Sequence, residues 1–118
     1  MNAKEALTSF SYSERLKSGL ILAFKLIEQV REMSKEERGG ANRLLRTFIS
    51  FLLNEANLAL HVSKDESFKD VILNLEESVR NIDFEDYPEA MRNLSKAISS
   101  TTTVGQGAVV ALKEAELL

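Results

Sequence analysis

Proline occurs once in 118 residues, at Pro88. Proline breaks helix interiors because it lacks the N–H and its ring clashes with the preceding turn. A chain almost without it can be helix along most of its length. The glycines, the other punctuating residues, are gathered as Gly39–Gly40 and as Gly105 with Gly107, leaving only Gly19 alone. Apolar residues recur at spacings of three and four, the period of a helix face. No segment alternates with period two for long enough to form a strand.

Composition bounds the rest. The length suits one domain, residues 1–118, able to bury roughly two-thirds of its unfolded surface without a metal or disulfide. There is no cysteine, which removes disulfides, thiolate zinc sites and cysteine nucleophiles together. Such a chain suits a reducing cytoplasm. Met1–Phe10 lacks the basic start and apolar run of a signal peptide. The longest apolar runs, Leu20–Phe24 and Phe48–Leu53 (interrupted at Ser50), fall far short of the ~20 residues that span a bilayer. The net charge of −3 gives no general attraction to nucleic acid or anionic lipid.

Four helices are expected. Ser11 with Glu14 has capping-box spacing, which starts a first helix at Tyr12 and runs it to Arg38. Asn2 with Glu5 repeats the spacing and suggests a short turn before it. Gly39–Gly40 ends that helix, with Lys35 and Arg38 in its last turn. A second helix covers Asn42–Val62, with Asn42 as N-cap. Ser63 with Glu66 caps a third helix near Lys64, whose seam is Phe68, Ile72, Leu75, Val79 and Ile82. Asp83–Tyr87 forms a turn, and Pro88 opens the fourth helix, where proline is tolerated. The seam of the fourth helix continues through Thr101, Gly105, Ala108 and Leu112 to Ala115, which favours a whole helix. The threonine run 101–103 and two glycines argue for a break there. Short turns between successive helices make neighbours antiparallel, so the fold class is an all-α, up-down four-helix bundle.

The helices carry unequal apolar faces. The third has a narrow stripe. The first and second have more apolar surface than the roughly three positions in seven that one bundle face requires. Either this hairpin is buried more deeply, or its surplus face meets a second copy, or it forms a groove for an apolar ligand or a partner helix. Two-fold homodimers are the commonest assembly, so a homodimer through residues 12–38 and 42–62 is expected. Its interface residues are Leu22, Leu26, Met33, Phe51, Leu53 and Leu58.

Candidate chemistry is sparse. Glu55 lies on the apolar side of the second helix, where a carboxylate is raised in pKa unless paired; it is expected either at the edge of the stripe, in solvent, or paired with Arg31. His61 is the only histidine and falls on the polar side. Asp83, Glu85, Asp86 and Glu89 gather round one turn but lack the glycine-bearing loop of a calcium site. Arg38, Arg43 and Arg46 belong to the turn at the same end of the bundle, so a basic tip should sit beside an acidic one. Ser99–Gly107 has hydroxyls and glycines but not the lysine of a phosphate-binding loop. The Glu-x-x-His pairs of two-iron bundles and the Glu-x-x-Glu motif of helical pyrophosphohydrolases do not occur.

No catalytic residue, metal ligand or cofactor is assigned. The expected role is a non-enzymatic, homodimeric interaction or scaffold protein, with no nucleic-acid or membrane partner. The competing expectation is a small-molecule or metal-binding protein, an enzyme included, that uses Glu55 or the small-residue side of the last helix (Ala97, Thr101, Gly105, Ala108).

Overall fold

A computed structural model describes residues 1–117. Four helices follow one another: α1 (Ala3–Arg31), α2 (Lys35–Ser63), α3 (Phe68–Asp83) and α4 (Tyr87–Glu114). Each packs against its chain neighbours, and α4 closes the ring on α1. The result is an all-α four-helix bundle, 55 × 20 × 16 Å. None of its helices is long and apolar enough to cross a membrane, among the described residues.

The core follows the three-four seams. Leu16, Leu20, Ala23 and Ile27 of α1 meet Leu45, Ile49 and Leu52 of α2, Phe68, Val71 and Leu75 of α3, and Leu94, Ala97 and Val104 of α4. In α3, Val71 and Ser78 are fully buried, while Ile72 and Val79 sit at the edge of the core.

The helix boundaries differ from the sequence expectation at three places along the chain. The first helix starts at Ala3, not Tyr12. Asn2 is the N-cap and forms the capping box with Glu5, at 2.8 and 3.1 Å. Ser11 lies in mid-helix. The early seam was hidden because its positions are small or polar: Ala6, Ser9 and Ser13 are all buried. Ser13 Oγ donates to the Phe10 carbonyl and Ser9 Oγ to Asp65, so neither hydroxyl is orphaned.

The second correction concerns the glycine pair. The first helix stops at Arg31 and α2 begins at Lys35, so Gly39 and Gly40 lie inside a helix. Ser34 is the N-cap, with Glu37 completing its box. Asn42, expected as the cap, is instead buried in α2 and accepts a 2.8 Å hydrogen bond from the Tyr87 hydroxyl. The third correction is at Ser63, the last residue of α2. Its hydroxyl donates to the Ala59 carbonyl and accepts from Asp65 N–H. Lys64 ends the helix in the left-handed region, φ 60°. Asp65 Oδ1 receives the Ser67 N–H, and α3 starts at Phe68 rather than near Lys64.

The last helix is whole. Residues 101–107 are helical, and the hydroxyls of Thr101, Thr102 and Thr103 bond back to carbonyls three or four residues earlier. Gly105 is where α4 approaches α1: a Cβ there would meet Ser13 Oγ at 3.1 Å. Asp86 caps the N-terminus and Pro88 sits in the first turn, as expected.

Candidate functional site

The two long helices α1 and α2 share a seam on the outside of the bundle as well as one inside it. Positions 44, 48, 51, 55, 58 and 62 of α2 repeat at four and three, and so do positions 15, 19, 22, 26 and 29 of α1, with Met33 continuing the row just beyond its end. Antiparallel pairing sets these rows level with one another. Arg15 meets Glu55 at 3.2 Å, and Gly19 abuts Leu52. Unlike the inner seam, this one has no third helix over it. Leu44 is 75% exposed, Phe51 55%, Leu22 48% and Leu58 47%. Leu26 and Val62 are exposed as well.

The surface is hollowed in two places. One hollow, about 280 Å³, has Gly19 and Leu52 among its walls, with Leu22, Phe48 and Phe51 around it and Arg15 and Glu55 at one end. The other, about 180 Å³, lies between Leu26, Val30, Met33, Ala41, Leu44 and Leu45. Phe51 also borders an open trough on the α3 side, with Ser50, Asn54 and Val79. It therefore stands on the crest of α2.

Of the six expected interface residues, Leu22, Leu26, Phe51 and Leu58 are exposed on this face. Met33 and Leu53 are half-buried and pack against the core, although Met33 also borders the smaller hollow. Glu55 is half-buried, but Arg31 is not its partner. Arg31 lies in the last turn of α1, while Glu55 faces Arg15, whose guanidinium also stacks 5.3 Å from the Tyr12 ring centre.

Most of the remaining candidates have structural partners. His61 is exposed. Arg46 pairs with Asp83 at 3.2 Å and Arg38 with Glu85 at 3.5 Å, so the basic and acidic tips do meet. Asp86 caps α4, and Glu89 pairs with Arg92. Among the described residues, no three His, Cys, Asp or Glu side chains gather as metal ligands would. The small-residue side of α4 packs tightly on α1: Ala97, Thr101, Gly105 and Ala108 are all buried.

One signal in the sequence was missed. From Thr47 to Ser63 the only charged side chain is Glu55, in a chain that is 28% charged. Beside the apolar row of α2 runs a second exposed row, Arg43, Thr47, Ser50, Asn54, Asn57 and His61, made mostly of uncharged polar groups. Solvated helix faces normally carry lysine and glutamate. Interface cores in general are depleted of charge and enriched in aromatic side chains.

Comparison with models of known protein families, with curated proteins and with solved structures returned no match.

Proposed function

We propose that this chain is a non-enzymatic interaction protein that acts as a homodimer, its self-contact made by the outer face of α1 and α2. The observation that carries the reading is the exposed row Leu44, Phe51 and Leu58 on α2, with Leu22 and Leu26 beside it on α1. A contiguous apolar surface of this kind is unusual on a protein that works alone. Its size is also suitable. Two helices of 29 residues extend about 43 Å, so the whole face of the hairpin, polar rim included, is on the order of 800 Å², comparable with what each partner contributes to a stable interface. A two-fold contact uses the same patch on both copies and closes the assembly. The absence of cysteine fits a reducing, cytoplasmic setting. The net charge of −3 does not favour nucleic acid or anionic membrane as partner.

Sedimentation equilibrium at micromolar concentration tests the reading. It should give twice the chain mass; a monomer mass throughout overturns it.

One observation supports the ligand-binding alternative. The larger hollow combines an apolar lining with the Arg15–Glu55 pair at its end, the mixture of walls and convergent polar groups that small-molecule sites use. Thermal-shift measurements against metals, nucleotides and lipids separate the two readings. Stabilisation by one compound class, lost in Glu55→Gln, favours a ligand site.

A further inference from the structure

We infer that the second copy docks antiparallel, α2 against α2, with the two-fold axis passing beside Phe51. The inference rests on the dimer reading above and adds its geometry. α2 is the centre of the contact because its stretch from Thr47 to Ser63 is almost without charge: Glu55 is the only ionised side chain between Arg46 and Lys64. The exposed side of α1 carries Lys25 and Glu28, with Glu32 just past its end, which suit a wetter rim.

Charge placement selects the direction. Arg43 and Arg46, the latter also paired with Asp83, lie in the N-terminal half of α2, and Glu55, beside Arg15, lies in its C-terminal half. A parallel pair would set Glu55 beside the partner's Glu55 and Arg43 beside the partner's Arg43, and would align the two helix dipoles. An antiparallel pair brings the basic half of each helix onto the half of the other that holds the carboxylate, and it opposes the dipoles.

The apolar row selects the register. With the axis at Phe51, this ring meets the partner's Phe51, and Leu44 meets the partner's Leu58. Val62 then lies over the partner's Gly40, a residue whose side-chain position is open. Moving the axis two residues toward the C-terminus would press Phe51 onto the partner's Glu55 and bury a carboxylate under a ring, which is costly without new hydrogen bonds.

Spin labels can read this arrangement because the chain has no cysteine of its own. Arg43→Cys, Ser50→Cys and His61→Cys place a label at three exposed polar positions of α2. About a two-fold at Phe51, the two copies of residue 50 are offset along the axis by about 3 Å, of residue 43 by about 24 Å and of residue 61 by about 30 Å. Dipolar electron resonance on the full chain should therefore give its shortest distance at 50 and clearly longer ones at 43 and 61. Three similar short distances would mean a parallel pair and overturn the inference. So would a shortest distance at 43 or 61, or three long ones. Sedimentation of the same samples separates the two levels. A wrong distance pattern in a species of twice the chain mass defeats the geometry alone, whereas a monomer mass defeats the dimer reading beneath it.

Discussion

The Cδ2 methyl of Leu52 occupies the space that a side chain on residue 19 would need. Gly19 is thus a packing requirement of the α1–α2 contact. Leu52 is buried apart from its edge on the hollow beside Gly19, so it makes room only by turning its methyl out of the core into that hollow. Alanine at position 19 would improve helix propensity by about 1 kcal/mol but overpack the contact at a cost of about 1–3 kcal/mol. Gly19→Ala should lower stability by up to about 2 kcal/mol, measured by urea denaturation. Unchanged or raised stability would show that Leu52 yields freely.

Gly39 and Gly107 should behave in the opposite way. Both are helical, and a Cβ on either meets no atom within 4 Å. Each glycine costs about 1 kcal/mol relative to alanine in a helix interior. Gly39→Ala and Gly107→Ala should each raise the melting temperature by several degrees. The sign at residue 39 is diagnostic. Were Gly39 a helix terminus with positive φ, alanine there would destabilise.

That residue also shows where the sequence could be read and where it could not. The four seams were legible because Leu16, Ile49, Leu75 and Leu94 recur with neighbours at three and four. The boundaries were not, because several residue pairs have the same capping spacing and only tertiary packing decides among them. Ser11–Glu14, Ser34–Glu37 and Ser63–Glu66 all have it, yet only Ser34 caps a helix. Seam continuity was masked at Ser9, Ser13 and Asn42, where buried polar groups find partners that spacing cannot reveal: Asp65, the Phe10 carbonyl and Tyr87. The Glu55 partner was misassigned for a related reason. Moving the start of α2 back to Lys35 changes which α1 residues stand level with it, and Arg15 replaces Arg31.

The cap at Ser34 makes a pH prediction. The Ser34 backbone N–H and hydroxyl both donate to the Glu37 carboxylate and hold its pKa below the usual value. A carboxyl depressed in the folded state contributes stability that is present above its unfolded pKa and lost as pH falls through the folded one. Glu37→Gln should therefore melt lower than the parent at neutral pH. The gap should close below the carboxylate range, where Glu37 is protonated. A gap that is constant across this range would mean that the charge on Glu37 contributes nothing.

Tyr87 and Asn42 form a buried link between the start of α4 and α2, with Arg38 lying 5.9 Å from the ring centre. Tyr87→Phe keeps the ring and removes the donor, leaving the Asn42 side-chain oxygen without its partner in a site only 8% exposed. The expected loss is about 1–3 kcal/mol. Adding Asn42→Ala to Tyr87→Phe should cost less than the sum of the two single changes, because the first has already broken the bond.

Phe51 and Leu52 are adjacent in sequence but project about 100° apart around α2, one exposed and one in the core, and their substitutions should separate association from folding. Leu52 is in the core, so Leu52→Ala should cost about 2–5 kcal/mol of stability. Phe51 is more than half exposed, so Phe51→Glu removes little from the fold of a single chain. In the proposed dimer it would set two carboxylates against each other at the two-fold axis. Phe51→Glu should therefore sediment as a monomer at micromolar concentration, with a helical circular-dichroism spectrum like that of the parent. If it keeps twice the chain mass, the crest of α2 is not the contact, and a dimer would have to be sought on another face. The groove between α1 and α4 beside Phe10 and Val110 is the next apolar surface available.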